Sequence, residues 1–382
     1  METVKGFKDF TGEEAIKRAK IRAIITRYFR LYGFEPAETP LIEQESFVRG
    51  ENQNDEAVSD IFKLNDKGKR KLALRYEFTF QLKRISKNKK LPYKRYSIGE
   101  VFRDEPISAN RFRQFTQCDA DIVGSSVKEE AEILSLASKV FDELGIKNEI
   151  LFNNKKLLKE ILDSEKINES DREQVMRELD KLDKLPEEEV KFNLNKFNAE
   201  GLIEIFKKPE AFFKKFKAYE EIQKLKEYCS FYGVKPKFVP SLVRGLSYYT
   251  GSIFEIKTKE MKETISAGGS YLVNGLQSTG IAFGLDRLAI LSKLEMKNKD
   301  ILIISIGQEE KAIKLAEKLR EEKKQVIVMY DKVSKALDYA NSNKMPYVVF
   351  VGEEEVKTKM FKLKDMDTGK EKLVSESELL DL

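Results

Sequence analysis

The chain has 382 residues, 41% hydrophobic and 35% charged, with 70 lysines and arginines against 65 aspartates and glutamates and a net charge of +5. That is globular composition, long enough for two or three domains, and so mild a charge permits nucleic-acid binding through local patches without predicting it. There is no histidine, which excludes Ser-His-Asp, Cys-His and HExxH chemistry and leaves carboxylates, arginines, lysines and backbone donors for any catalysis.

The two cysteines, Cys118 and Cys229, form no CxxC pair. Neither a disulfide framework nor a cysteine zinc site is expected, and no structural metal. No apolar run reaches membrane-spanning length, and charged residues follow Met1 directly, so a cytoplasmic location is expected.

Residues 13–32 read as an amphipathic helix: Ile21, Ile25, Tyr28, Phe29 and Tyr32 recur at helical spacing, and Gly33 supplies the stop. Phe34 to Ile42 runs extended through Pro36 and Pro40. A strand ends at Leu72–Arg75, followed by Glu77 and Thr79. The densest segment is Tyr96 to Gly124. An apolar run (Ile98, Val101, Phe102) closes on Arg103, a loop spans Pro106 to Asn110, and Arg111 to Ile122 returns with Arg113, Phe115, Gln117, Asp119 and Asp121 at alternate positions. Alternate strand residues share a face, so a hairpin here would present Arg103, Gln117 and Asp121 together, which suits an anionic ligand beside a cationic one. Alternation alone fits the solvent face of an antiparallel hairpin equally well. Residues 128–144 form another helical stretch, ending at Gly145.

From about Asn148 to Gly233 leucine, lysine and glutamate dominate, and no glycine occurs between Gly145 and Gly201. This is helical sequence with breaks near Pro186, Gly201 and Pro209. Short strands and glycine-rich turns return from Lys237 to Leu288, with LVRGLSYYTG at Leu242–Gly251, AGGSY at Ala267–Tyr271 and STGIAFGLDRL at Ser278–Leu288. After a linker at Met296–Asp300 the chain alternates: DILIISIG, QVIVMY and MPYVVFVG as strands, EEKAIKLAEKLREEKK and SKALDYANSN as helices. That is a βαβαβ pattern and a parallel sheet covered by helices.

Taken in order, LRYEFT (74–79), the 96–124 run, RGLSYYTG and GIAFGLDR resemble the histidyl-tRNA synthetases of class II. The Phe-Arg, loop and Arg-aromatic-Arg return resemble motif 2 of that class. The first helix and its proline-containing strand resemble motif 1, and GIAFGLDR resembles motif 3. RGLxYYTG is the most specific element, and the resemblance runs from Gly6-Phe7 to the final domain. It implies an α+β catalytic domain with an antiparallel sheet of class II type over 1–147 and 235–296. A helical insertion over 148–234 would pack near the tRNA acceptor arm, and a C-terminal α/β anticodon-binding domain with a mixed or parallel sheet would occupy 297–382.

The resemblance also implies a reaction. Histidine is activated by ATP, carried with Mg2+, to histidyl-adenylate and then transferred to the 3′ end of tRNA(His) by a homodimer. Arg103 would hold the α-phosphate and Arg287 the γ-phosphate, with Arg111 and Arg113 also on ATP. Arg244 would be the special cation near the α-phosphate and the substrate carboxylate, catalytic together with Arg103. Glu77, Thr79 and Gln117 match the positions for the α-ammonium group, Asp121 and Tyr249 those for the two ring nitrogens, and Tyr248 and Tyr271 those of pocket walls. Departures from the family pattern are Ser247, where the family has Asp, Ser270 and Leu272 in place of the charged groups of GGRYD, and a motif 2 loop without glycine. The alternative is a catalytically idle paralogue that senses histidine as a regulatory subunit. Such paralogues lack the C-terminal domain and lose phosphate-binding arginines, and this chain keeps both.

Overall fold

The computed structural model of the chain describes residues 2–50, 58, 60–183, 185–243, 248–296 and 298–382. It divides into two units, Met1–Leu294 and Glu295–Leu382.

Helix α1 (Gly12–Leu31) buries Ile21, Ile24, Ile25 and Phe29 and ends where Gly33 takes the left-handed conformation, φ +77°. The spacing of those four side chains is that of one helical face, and each fully buried one is worth about 1.5–3 kcal/mol of transfer free energy. The large sheet of this unit runs in the order β1-β5-β6-β11-β10-β9-β7-β8. Its strands are β1 (Glu35–Pro36), β5 (Tyr93–Phe102), β6 (Gln114–Val123), β7 (Glu149–Asn154), β8 (Lys237–Phe238), β9 (Tyr249–Thr258), β10 (Met261–Val273) and β11 (Leu276–Gly284). The six central strands pair antiparallel, and only the β1–β5 and β7–β8 pairs at the edges are parallel. A small antiparallel sheet, β2-β4-β3, packs β2 (Ile42–Gln44), β3 (Lys63–Asn65) and β4 (Lys71–Leu74).

One face of the large sheet is closed by α1, by α2 (Val127–Glu143) and by α3 (Leu285–Leu291), all in one apolar core. Phe283 of β11 lies 6.2 Å from Phe29 and 5.7 Å from Phe141, ring centre to ring centre, and Phe29 lies 5.2 Å from Tyr96 of β5. Helix α2 is started by a capping box, with the Ser126 hydroxyl accepting from the Lys128 N–H and the Glu129 carboxylate from the Ser126 N–H. Strand alternation leaves the opposite face to the polar residues of β6.

Two elements differ from the sequence reading. The segment expected to be helical from Asn148 opens instead with β7, whose Ile150 and Phe152 are buried in the main sheet; helices occupy Lys155 to Phe231. Six residues are too few for composition to reveal, and pairing with β9 and β8 decides the matter. In the second unit β12 (Ile301–Ser305), β13 (Val326–Met329) and β14 (Tyr347–Val351) form the expected parallel set in the order β13-β12-β14, with α4 (Glu309–Glu321) and α5 (Val333–Ser342) as crossovers. An antiparallel hairpin, β15 (Met360–Asp365) and β16 (Glu371–Ser375), then extends the sheet and makes it mixed. Its lysine-rich alternation hides Phe361, Leu363 and Val374, which supply its buried face. No helix among the described residues is long and apolar enough to cross a membrane.

Candidate functional site

The uncovered face of the large sheet floors a cavity of about 520 Å³. Gln117, Asp119 and Asp121, two residues apart on β6, point into it. Gly268 and Tyr271 of β10 and Gly280 of β11 continue the floor; Glu77 and Thr79 enter from the segment after β4, and Tyr248 and Tyr249 from the start of β9. The other end is lined by Arg103 and Arg111 of the motif 2 hairpin and by Asp286 and Arg287 at the start of α3. Ten of the twelve residues expected at the site therefore share one cavity.

The amino-acid end is buried and acidic. Glu77, Gln117, Asp119 and Asp121 are all buried. The Gln117 amide donates to Asp119 Oδ2 at 2.9 Å, which leaves Gln117 Oε1 and Asp119 Oδ1 without hydrogen-bond partners. Buried polar atoms are seldom left so, and these two sit on a cavity floor, where a ligand's N–H groups can reach them. Burial and the neighbouring Asp121 carboxylate push the Asp119 carboxyl well above its usual range. Burial also raises Asp121, against the opposing pull of Arg95 and of the Tyr271 hydroxyl.

Asp121 and Tyr249 were expected to face the two ring nitrogens, with Tyr271 as a wall. The phenol that meets Asp121 is Tyr271, whose hydroxyl donates to Asp121 Oδ1; Tyr249 lines the cavity with its ring centre 6.4 Å from that of Tyr271. Tyr248 sits between them, 4.8 Å from Tyr249 and 5.5 Å from Tyr271. Burial raises the Tyr248 and Tyr271 phenols far above ordinary tyrosine, so both remain neutral donors. Gly280 permits this arrangement: a Cβ there would lie 2.2 Å from Asp121 Oδ1 and 2.9 Å from the Tyr271 hydroxyl.

The arginine end is looser. Arg103 donates from Nε to the Tyr76 carbonyl at 3.1 Å and lays its guanidinium over Phe115 at 5.2 Å. Arg111 reaches Glu105 at 3.0 Å with its side chain 54% exposed, a surface pair of little energetic weight. Arg287 donates to the Thr264 carbonyl at 2.6 Å. Arg113 is not brought to the cavity. It pairs with Asp104 at 3.1 Å and packs its methylenes on Gly6, where a Cβ would meet its Cδ at 2.8 Å. Arg244 and Ser247 lie outside the described residues.

Sequence reasoning missed three contributors. Asp119 was visible as the middle member of the 117, 119, 121 alternation. Arg95 sits directly across from Asp121 in the β5–β6 register, and its signal was an arginine among Tyr93, Ser97, Gly99 and Val101 on the buried face of β5. The third is Asp286, which accepts from Arg18 at 2.8 Å and from the Thr116 N–H at 3.0 Å, while Arg18 also donates to the Thr116 hydroxyl. That buried network ties the first helix, the motif 2 strand and the motif 3 helix together just before Arg287. The departures at 270 and 272 fall away from the cavity lining. Ser270 turns its hydroxyl to the buried Glu130 of α2, and Leu272 is half exposed.

Comparison with known proteins agrees with this layout. Residues 6–288 match the family model "Histidyl-tRNA synthetase", and residues 300–382 match "Anticodon binding domain". Histidine–tRNA ligase 1 of Bacillus cereus is 36% identical over 423 aligned residues, covering 100% of this chain and 97% of the relative. The crystal structure of a histidyl-tRNA synthetase from a Nostoc species superposes with a TM-score of 0.86 at 24% identity, covering 99% of this chain and 98% of that one. A Bacillus halodurans structure titled as an ATP phosphoribosyltransferase regulatory subunit/histidyl-tRNA synthetase superposes at 0.77 with 21% identity, over 91% and 97% of the two chains. The chain belongs to the histidyl-tRNA synthetase family, the histidine–tRNA ligases of class II, with the anticodon-binding domain at its C-terminal end.

Proposed function

We propose that the protein activates histidine with ATP and transfers it to the 3′ end of tRNA(His). The observation that carries the reading is the polarity of the cavity, with buried carboxylates and an amide at one end and Arg103 and Arg287 at the other. The acidic end accepts the ammonium group through Glu77, Thr79 and Gln117, aided by Asp119, and an imidazole N–H through Asp121. Tyr248, Tyr249 and Tyr271 enclose the ring. A site of buried acceptors rejects side chains that leave them unpaired.

In the first step a carboxylate oxygen of histidine attacks the α-phosphorus of ATP. A phosphorus–oxygen bond forms to the amino acid, the bond to the β-phosphate bridge breaks, and pyrophosphate leaves with Mg2+. The nucleophile is already ionised at neutral pH, so a protein without histidine residues lacks nothing it needs. Positioning and charge neutralisation remain. Arg103 suits the α-phosphate and Arg287 the γ-phosphate, because a guanidinium is always charged and presents a planar fork. Arg111 suits the pyrophosphate end, and Arg244 is assigned the α-phosphate and the substrate carboxylate. In the second step the terminal ribose hydroxyl of the tRNA attacks the histidyl carbonyl and AMP leaves. A homodimer is supported by the outer side of α1, where Ile16 and Leu31 are exposed beside a groove lined by Ala15, Ala19, Ala23 and Arg22.

The test is histidine-dependent ATP–pyrophosphate exchange followed by charging of bulk tRNA. Exchange with charging supports the ligase. Histidine binding with neither reaction supports a regulatory paralogue, and the retained arginines and C-terminal domain favour the first outcome. Arg244→Ala is expected to abolish exchange and leave the fold intact; normal exchange in that variant removes its assigned role.

A further inference from the structure

Arg95 is the largest fully buried side chain among the described residues, with none of its surface exposed. It is carried by β5 opposite Asp121 of β6. One guanidinium nitrogen lies 2.7 Å from Asp121 Oδ2 and 3.0 Å from the Phe78 carbonyl. Arg95 Nε and the other terminal nitrogen have no hydrogen-bond partner. A buried cation half satisfied in this way is a poor stabilising device, since desolvation of the pair offsets most of its attraction. Its value has to lie elsewhere.

We propose that Arg95 is a positioning residue that sets histidine specificity by clamping the Asp121 carboxylate as a charged acceptor aimed at the ring. This inference rests on the proposed histidine site. Two groups flank Asp121 from opposite sides: Arg95 from β5, an ion pair at Oδ2, an oxygen that accepts no hydrogen bond from the protein, and Tyr271 from β10, a hydrogen bond at Oδ1. Gly280 of β11 packs flat against the same carboxylate, and a methyl there would collide with Oδ1. The carboxylate therefore has a single orientation and cannot swing toward the ammonium end, where Asp119 and Gln117 are already paired.

The clamp also decides the charge of the ring that fits. The ionisable and charged groups around Asp121 are Arg95 from β5, Asp119 on its own strand, Tyr271 from β10, and Glu77, Tyr248 and Tyr249 around the cavity. Arg95 is the one described cation that this face of β5 brings to Asp121, and it balances that carboxylate. A neutral imidazole then donates its N–H to a site needing no further proton. Without Arg95 a buried carboxylate faces the ring uncompensated, and the complex keeps one extra proton, on Asp121 or on the imidazole.

The experiment measures the KM for L-histidine in ATP–pyrophosphate exchange, and histidine binding by calorimetry, for wild type, Arg95→Met, Arg95→Lys, Asp121→Asn and Arg95→Met/Asp121→Asn. Arg95→Met is expected to raise the histidine KM about tenfold to hundredfold, because the acceptor facing the ring loses its buried counter-charge. Its KM for ATP and its kcat stay within about threefold of wild type, and Arg95→Lys recovers part of the loss. Between pH 7 and 8 wild-type histidine affinity is flat, whereas that of Arg95→Met weakens as pH rises, by at most about tenfold per unit for one proton. An unchanged histidine KM with a flat profile in folded Arg95→Met overturns the proposal. Should Arg95→Met fail to fold, the double variant decides. If Arg95 acts through Asp121, the double variant binds histidine no worse than Asp121→Asn, and a further tenfold loss overturns the proposal. Absence of wild-type exchange and of histidine binding would instead refute the proposed function itself, so the two failures are distinguishable.

Discussion

Gly280→Ala is the sharpest probe of the site's packing. Gly280 pairs with Asp121 on one side and with Gly269 on the other, in the middle of the eight-stranded sheet. A methyl at this position would lie 2.2 Å from Asp121 Oδ1, 2.9 Å from Asp121 Cγ and 2.9 Å from the Tyr271 hydroxyl. The strand cannot retreat, because ladders hold it on both edges, so the carboxylate has to move by about 1.5 Å to reach ordinary van der Waals contact. Overpacking of that kind costs about 1–3 kcal/mol. Separating Asp121 from its phenol adds about 1.5–3 kcal/mol, the worth of a hydrogen bond to a charged group. The expected destabilisation is therefore about 2.5–6 kcal/mol if both effects operate, and about 1–3 kcal/mol if the Asp121–Tyr271 bond survives. The control is Gly284→Ala on the same strand, where nothing lies within 4 Å of the new methyl and φ is −86°. It should be neutral or stabilising by up to about 1 kcal/mol. Urea unfolding followed by circular dichroism reads both variants. Calorimetry with L-histidine should find binding weakened at least about tenfold in folded Gly280→Ala. A Gly280→Ala protein as stable as Gly284→Ala, with wild-type histidine affinity, would refute the packing argument around Asp121.

The remaining predictions concern the other ends of the site. Arg103→Ala should lower exchange at least about a hundredfold, the usual scale for a lost transition-state donor, whereas Arg113→Ala, which loses the Asp104 pair, a bond to the Glu105 carbonyl and packing on Gly6, should cost less than about tenfold; equal losses in exchange assays would return Arg113 to the phosphates. Asp286→Ala strands the buried Arg18 and the Thr116 N–H and should cost about 3–5 kcal/mol in urea unfolding, and a loss under 1 kcal/mol would show the network to be ornamental. The pH dependence carries a definite sign. Asp119 is raised in the folded state, so the native protein holds its proton longer than the unfolded chain does. Its stabilising share is complete below the unfolded pKa of about 3.9 and is lost as pH rises through the folded value. Asp119→Asn should therefore be more stable than wild type at pH 7–8 while binding histidine more weakly, and a variant less stable there than wild type would contradict the assignment.

Much of this molecule was legible before any coordinates. A two-residue period in β6 is a local property of the chain, so Gln117 and Asp121 could be put on one face by counting. Helix α1, α2 and the βαβαβ order of the second unit followed from 3.6-residue spacing, glycine stops and uninterrupted apolar strands. What counting could not supply was which strands become neighbours. The β5–β6 register sets Arg95 against Asp121, and β10 beside β11 brings Tyr271 to the same carboxylate, across 150 residues of chain. Arg113 shows the converse. Its motif position suggested phosphate, but in the fold it packs on Gly6 and pairs with Asp104. Periodicity is written in adjacent residues and survives without tertiary context, whereas partnership depends on register and loop closure between distant segments, which only the folded sheet decides.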